Sequence, residues 1–443
     1  MKRDFWIKLE NWKSSDVKKP LMVVGARQTG KTYIIDKFCK ENYKKYCYTN
    51  LFKDKKIIEI FNEYSNFKDR IEFLQQYFNI DLNDKDTILF VDEIQECDDF
   101  IEALKLFCEE GYNNIIVAGS LLGIKLKRFK KSYPVGKVYE EILYPMNFRE
   151  FLIAIGKENY IESIKKSFLN DSKCIFHEEL INLYKRYIFL GGMPELINDY
   201  VSNNQDLSKV NTNLYANNII KAYKEDIANY NEDPKEVIRI QNIYDNIAPQ
   251  LMKENPKFMY AKFDKKNRKS DYITALDWLT SSKLVHKCNQ LNSPNYPIKL
   301  YSNSDNYKLF LSDVGLLRAL IGVDIDNIFL DGDFPYKGML AENYVAEELV
   351  NQFEDIYYWS RKGNENNNHT EVDFVIQIGS NIIPIEVKSG EHTKSKSLEE
   401  YDREFNPSLI IRISAKNFGK EGNIKSIPLY ATFLIKELLL EKN

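Results

Sequence analysis

Residues 25–32 have the types and spacing of a phosphate-binding loop, the full G-x-x-x-x-G-K-[ST] pattern. They are Gly25, Ala26, Arg27, Gln28, Thr29, Gly30, Lys31 and Thr32. Such a loop surrounds a polyphosphate with backbone N–H groups and a helix N-terminus, and its glycines let the backbone come close. We therefore predict that Lys31 reaches the β and γ phosphates of a nucleotide and that Thr32 binds Mg²⁺.

The segments on both sides of this loop have the order that phosphate binding requires. Residues 20–24 are an apolar run typical of a short buried strand, and residues 33–38 have helical spacing. A strand, the glycine loop and a helix thus follow one another directly. This order argues against a chance match to an eight-residue pattern.

Two acids end a second apolar run further along the chain. Residues 87–93 end in Asp92 and Glu93, as expected for a central parallel strand that delivers acids at its C-terminal edge. We predict that Asp92 holds Mg²⁺, usually through water, and that Glu93 polarises the attacking water. The alternative is an acidic pair that caps the start of a helix.

A third predicted strand, residues 114–120, ends in the hydroxyl of Ser120. In a doubly wound sheet this hydroxyl would lie near the γ phosphate and could sense its loss. Ordinary turn chemistry of a Gly-Ser pair after a strand is the alternative.

The composition predicts a chain of several domains without a membrane span. The chain has 443 residues, 44% of them hydrophobic, and ~100–200 residues per domain predict two to four domains. The longest uncharged apolar run, residues 115–124, is far shorter than the ~20 residues that cross a bilayer. We expect a cytoplasmic protein. The net charge of −3 does not bear on nucleic acid, and six scattered cysteines and four histidines give a zinc site little support.

Together with Ile94-Gln95 and residues 143–151, these three segments resemble the AAA-type ATPases of bacteria and archaea. More narrowly, they resemble the family whose ATPase domain is joined to a C-terminal domain similar to PD-(D/E)xK nucleases. The resemblance implies that the chain binds and hydrolyses ATP with Mg²⁺. It also implies an α/β fold with a P-loop parallel-sheet ATPase core and a C-terminal α/β PD-(D/E)xK-like domain. Between them, the order of predicted helices and strands indicates a helical lid and a winged-helix module. We place these parts at residues 1–155, 156–235, 236–335 and 336–443.

A basic segment follows the third predicted strand. Residues 124–137 contain six basic residues and no acid, so they could contact phosphates of a nucleotide or a nucleic acid. Members of the family carry Gly-Arg where this chain has Gly136-Lys137, which leaves the identity of an arginine finger open. Arg128 is the nearest candidate, and a solvated face is the alternative.

The middle of the chain has the patterns of a lid and of a winged helix. Residues 156–235 have helical spacing, with a turn at residues 191–195. Predicted helices at 237–251 and 271–281 precede predicted strands at 284–286 and 299–301. A winged helix can place a helix in the major groove of DNA or dock a protein. The basic residues of the connector between the two helices would contact phosphates. They are Lys262, Lys265, Lys266, Arg268 and Lys269.

Acids and a lysine recur at the back of the chain. A predicted helix at residues 338–349 contains Glu342, and two predicted strands contain Asp373 and the sequence Glu386-Val387-Lys388. These residues resemble the core of the PD-(D/E)xK nucleases, although Val372 stands where that motif has proline. The resemblance implies that Glu342, Asp373 and Glu386 hold one or two Mg²⁺ ions and that Lys388 orients the attacking water. The alternative is an ordinary strand end in a domain that does not cleave.

Three functions are compatible with these patterns. The first is an ATPase switch whose state the lid and the winged helix transmit to the rear domain, with DNA as its predicted target. The second is an ATP-gated DNA nuclease, and the third is a module that docks DNA or a protein without cleavage. Oligomerisation is compatible with each of them.

Overall fold

The computed structural model is organised around two β-sheets, one in the front of the chain and one at the rear. It describes residues 2–120, 134–229, 231, 233–252, 258–259, 269–330, 335–362, 369–390 and 396–441. Among these residues, no helix has both the length and the apolar character that a bilayer crossing requires.

The front sheet is entirely parallel, with strand order β2-β3-β4-β1-β5. Its strands are β1 (Leu21–Gly25), β2 (Lys45–Asn50), β3 (Thr87–Asp92), β4 (Ile115–Ser120) and β5 (Tyr139–Ile142). The surrounding helices are α1 (Phe5–Ser14), α2 (Lys31–Asn42), α3 (Lys55–Glu63), α4 (Phe67–Phe78) and α5 (Asp98–Glu109). Helices cover both faces, so β1, β3 and β4 are buried at every residue. The predicted parallel-sheet core is confirmed.

Helices fill the segment predicted as a lid and continue beyond it. They are α6 (Phe148–Ala154), α7 (Asn159–Leu169), α8 (His177–Leu190), α9 (Pro194–Ser202), α10 (Thr212–Asn229), α11 (Pro234–Asp245), α12 (Ile247–Leu251) and α13 (Ile273–Ser281). The chain between α8 and α9 turns at residues 191–193, inside the range where the sequence predicts a turn.

The rear sheet is mixed, with strand order β12-β13-β11-β10-β9-β8-β6-β7. Its strands are β6 (Val285–Leu291), β7 (Ser302–Leu311), β8 (Ile356–Lys362), β9 (His369–Ile378), β10 (Asn381–Val387), β11 (Ile410–Ser414), β12 (Gly419–Glu421) and β13 (Ile424–Pro428). Its accompanying helices are α14 (Val314–Ile321), α15 (Ile325–Phe329), α16 (Pro335–Phe353), α17 (Lys396–Phe405) and α18 (Ile435–Glu441).

The hairpin expected as the wing of a winged helix belongs to this rear sheet. Strand β6 pairs with β7 on one edge and, in parallel, with β8 on the other. The sheet therefore continues across the predicted domain boundary at residue 336. The strand predicted at residues 299–301 is wrong, because residues 298–301 form a 3₁₀ turn after Pro297 and β7 begins at Ser302.

Apolar side chains form separate cores in the two halves. Two clusters cover the two faces of the front sheet. A larger cluster runs without a break from the lid helices through α14 and α16 into the rear sheet. The lid helices and the rear sheet consequently share one core.

Candidate nucleotide site and the rear carboxylate cluster

The phosphate-binding loop joins β1 to α2 with two residues in the left-handed backbone region. Gln28 has φ 66° and Gly30 has φ 88°, conformations that let consecutive N–H groups face one side of a loop. The hydroxyl of Thr29 is buried and donates to the Ala26 carbonyl (3.0 Å). The predicted strand, loop and helix therefore occur in the predicted order.

Lys31 folds back over the loop that precedes it. Its Nζ atom donates to the carbonyl oxygens of Ala26 (2.8 Å) and Gly25 (3.1 Å). Burial lowers the pKa of Lys31 to about 8, although Glu93 and Asp92 oppose the shift. A half-buried ammonium that donates to two carbonyl oxygens can exchange them for the charged oxygens of an anion, which make stronger hydrogen bonds.

Thr32 and Asp92 meet at the carboxyl end of the sheet. The Thr32 hydroxyl donates to Asp92 Oδ2 at 2.8 Å. Burial raises the pKa of Asp92, and the hydrogen bond from Thr32 opposes the rise. One hydroxyl oxygen and one carboxylate oxygen are hard donors of the kind that Mg²⁺ takes alongside phosphate and water. These two residues fit the predicted ion.

Glu93 and Ser120 lie at the same edge of the sheet. Glu93 has φ 52°, and its carboxylate accepts a hydrogen bond from Gln95. Ser120 is the register partner of Gly25 on the neighbouring strand. Both predicted catalytic side chains therefore lie at the edge of the sheet where the loop begins, because the carboxyl ends of parallel strands share one edge.

The lid helix α10 closes over the loop. Asp226 Oδ1 lies 3.1 Å from an Arg27 guanidinium nitrogen, with exposed side-chain fractions of 2% and 46%. The Tyr223 hydroxyl donates to the Arg27 carbonyl (3.1 Å). Burial raises the pKa of Asp226 to about 6, with Arg27 opposing and Glu93 adding to the rise. Arg27, Asp226 and Glu93 line a cavity of about 460 Å³.

A second cavity of about 270 Å³ touches the start of α2. It is lined by Gly30, Tyr33, Ile34, Met146 and Pro194, among others. Its lining is mainly apolar and includes an aromatic ring, which suits a flat heterocycle more than a phosphate.

Arg3 fastens the N-terminal segment to the phosphate-binding loop. Its guanidinium donates to the carbonyls of Thr29 (3.0 Å) and Tyr144 (2.8 Å), and its Nε atom lies 2.9 Å from Glu150. The Arg3 and Glu150 side chains are 6% and 4% exposed. This buried pair holds the back of the loop against α6.

Of the two candidates for an arginine finger, Lys137 and Arg128, the structure describes only Lys137. Lys137 pairs with Glu109 on α5 at 3.0 Å. Arg128 and the basic residues 125–131 lie outside the described residues, as do the connector residues 260–268.

The rear carboxylates form a cluster with two lysines, which we call the rear cluster. Its members are Lys308, Glu342, Glu371, Asp373, Glu386 and Lys388. The Lys308 ammonium lies 2.8 Å from Glu342 Oε1 and 2.6 Å from Glu371 Oε1. Burial raises the pKa of Glu342 to about 7, with Lys308 opposing the rise.

The other acids of the rear cluster have partners of their own. Asp373 Oδ2 accepts from the Val387 backbone N–H (2.8 Å), and Glu386 Oε1 lies 2.8 Å from Lys388 Nζ. Among the described residues, no three His, Cys, Asp or Glu side chains are arranged to hold a metal ion. The predicted metal-binding acids Glu342, Asp373 and Glu386 thus all lie in the rear cluster, where Glu342 Oε1 accepts from the Lys308 ammonium (2.8 Å).

Buried acids tie the ATPase core, the lid and the rear helix α16 together. Glu348 Oε1 accepts from the Phe148 N–H at the start of α6 (2.8 Å). Asp313 accepts from the Gly192 N–H (2.6 Å), and Gly192 in turn accepts from the Met146 N–H (2.7 Å). Burial raises the pKa of Glu348 to about 8 and that of Asp313 to about 6.

Sequence reasoning missed Arg3, Asp226, Lys308 and Glu348. Asp226 follows Ile219 and Tyr223 at helical spacing, so an acid on the buried face of α10 could have been noticed. Lys308 is the one charge in the apolar run 307–311. Arg3 and Glu348 carry no comparable local signal.

The front of the chain is similar to a known domain family. Residues 17–152 match the family model described as an AAA domain. Residues 181–327 and 337–432 match two domains of unknown function. An uncharacterized protein of Methanocaldococcus jannaschii is 25% identical over 414 residues, which are 90% of this chain and 82% of that protein.

Two solved structures are similar at a lower level. The Walker-type ATPase of Pyrococcus abyssi has a TM-score of 0.43 and 15% identity, over 71% of this chain and 94% of that one. The ORC2 protein of Aeropyrum pernix, in its ADP form, has a TM-score of 0.29 and 15% identity, over 73% and 90%. The phosphate-binding loop on its parallel sheet and this match identify residues 17–152 as an AAA-type ATPase domain.

Proposed function

We propose that the chain is an ATP-binding and ATP-hydrolysing switch whose nucleotide state reaches the rear sheet through the lid. The observation that carries the proposal is the meeting of Lys31, Thr32 and Asp92 at one edge of the front sheet. In the proposed complex, Lys31 leaves the loop carbonyls for the β and γ phosphates. Thr32 and Asp92 hold Mg²⁺, which neutralises phosphate charge.

The remaining predicted residues take roles around the γ phosphate and the base. Glu93 orients and deprotonates the attacking water, and Ser120 senses the γ phosphate. The apolar cavity beside Tyr33 and Pro194 receives the purine ring. The backbone N–H groups of the loop, residues 25–32, bind the phosphates.

The Arg27–Asp226 pair couples the nucleotide to the lid. A triphosphate in the neighbouring cavity attracts Arg27 and repels the Asp226 carboxylate, so binding weakens the contact. The lid helices share a core with the rear sheet, and Glu348 links α16 to α6. Movement of α10 therefore also moves the rear sheet, because side chains packed in one core shift together.

The proposed partner of the chain is DNA. Support comes from the sequence, in the basic segments 124–137 and 262–269. Association with duplex DNA that weakens steeply with salt, and differs between ATP and ADP, supports this partner. DNA cleavage with Mg²⁺ that is lost in Asp373→Ala would instead support the nuclease alternative.

Phosphate release from ATP by the purified chain tests the proposed activity. Wild type should release phosphate only with Mg²⁺, Lys31→Ala should abolish the release, and Glu93→Gln should lower it by about 100-fold or more. Lys37→Ala, on the exposed side of α2, is the matched control and should keep wild-type turnover. Equal turnover in wild type and Lys31→Ala would refute the proposal.

A further inference from the structure

A lysine lies inside the rear cluster with no access to solvent. The Lys308 side chain is 0% exposed, whereas those of its partners Glu342 and Glu371 are 16% and 15% exposed. An ammonium is a compact point charge with three donors and no acceptor. Because it is enclosed, Lys308 cannot contact a DNA phosphate, and its charge acts only on the cluster.

The position of Lys308 competes with the position of a metal ion. A dication bound by Glu342 would lie about 2.0–2.6 Å from a carboxylate oxygen. The Lys308 ammonium already lies at hydrogen-bond distance from Glu342 Oε1. Two cations at one carboxylate oxygen repel each other, and the enclosed Lys308 ammonium has no water of its own to screen that repulsion. Glu342 Oε1 therefore serves either the lysine or a metal.

The same lysine explains how the hairpin joins the rear domain. Lys308 lies on β7, Glu342 on α16 and Glu371 on β9, so its two ion pairs connect three separate elements. Half-buried carboxylates this close together repel one another, and an internal cation offsets that repulsion without a ligand from solution.

We propose that Lys308 is a built-in cation that takes the place of a divalent metal in the rear cluster, so that the rear domain assembles and acts without Mg²⁺ or Mn²⁺. The proposal is independent of the ATPase function. It gives Asp373, Glu386 and Lys388 a role in structure or binding and not in metal-dependent cleavage.

Counting bound Mn²⁺ tests the proposal, with Mn²⁺ alone as the probe and no nucleotide present. Electron paramagnetic resonance reports free Mn²⁺, and any ion at the front site contributes equally to every variant. Wild type and Asp373→Asn should bind the same number of ions. Lys308→Met should gain one ion, which the further change Asp373→Asn should remove. Lys299→Met, an exposed lysine (74%) paired with Asp355, should keep the wild-type count.

Two results would overturn the proposal. One is the loss of a bound ion from wild type on Asp373→Asn, since the rear acids would then hold a metal beside Lys308. The other is a folded Lys308→Met variant that gains no ion. If circular dichroism shows Lys308→Met unfolded, the comparison of wild type with Asp373→Asn decides alone.

Discussion

Replacing Asp226 by Asn should make ATP bind more tightly. The Asp226 carboxylate lies 3.1 Å from the Arg27 guanidinium, beside the proposed phosphate site. ATP must break this pair before Arg27 turns to the phosphates, and the carboxylate itself repels the nucleotide. Asparagine keeps the size of the side chain and removes the charge, so both costs disappear.

The expected gain follows from the burial of the two partners. Exposed ion pairs contribute about 0.2–1 kcal/mol, and hydrogen bonds to charged groups about 1.5–3 kcal/mol. Arg27 is 46% exposed, so solvent screens the ion pair. Its contribution then falls in the range of exposed ion pairs, at about 1 kcal/mol. That free energy corresponds to roughly fivefold tighter binding. Isothermal titration of ATP at pH 7 measures it.

The pH dependence of this gain is a second check on its cause. The pKa of Asp226 is raised to about 6, so the wild-type carboxyl is mostly neutral at pH 5 and then resembles asparagine. The advantage of Asp226→Asn should shrink at pH 5 and be full at pH 7 and above. Glu225→Gln removes an exposed charge from the same helix and should change affinity little. Equal affinity of wild type and Asp226→Asn at pH 7 would refute the coupling.

Four further outcomes are expected. Glu93→Gln should bind ATP as wild type does in calorimetry while phosphate release falls by about 100-fold or more. Glu348 has its pKa raised from 4.5 to about 8, so it disfavours the folded state increasingly as pH rises through that window. The free energy of unfolding should thus fall by about 3 kcal/mol between pH 5 and 8 through this group, and Glu348→Gln should flatten the fall in urea titrations. Gly192→Ala should unfold the chain or lower its melting temperature sharply, because a Cβ would overlap the Met146 carbonyl oxygen. Gly338→Ala, with open space around it on α16, should be neutral or more stable by up to about 1 kcal/mol.

The front site could be predicted from sequence because its signals are local. The loop pattern, its strand and its helix are contiguous, and β3 and β4 are apolar runs that end in functional residues. Parallel pairing then brings the ends of these strands together, so Gly25 and Ser120 meet in register without any further signal.

The rear part could be predicted only in pieces. Glu342, Asp373, Glu386 and Lys388 fall within one cluster, but its central cation is Lys308, from a hairpin that the sequence assigns to another domain. Strand β6 pairs with β8 across many intervening residues, and hydrophobic periodicity carries no information on such partners. Residues 299–301 were too short a run to distinguish a strand from a 3₁₀ turn.

The contacts that link the parts are long-range as well. Arg27 meets Asp226, and Phe148 meets Glu348, through tertiary packing alone. A single sequence shows each of these residues only as a charge or an apolar side chain on a helix. Their pairing follows from the lid and α16 packing against the ATPase core.

Titration of the chain with ATP and Mg²⁺ in a calorimeter tests the central claim most directly. Wild type and Lys37→Ala should each bind one ATP, and Lys31→Ala should bind it at least tenfold more weakly, which corresponds to about 1.4 kcal/mol. No heat of binding to wild type, or undiminished affinity in Lys31→Ala, would contradict the claim that residues 25–32 hold a nucleotide.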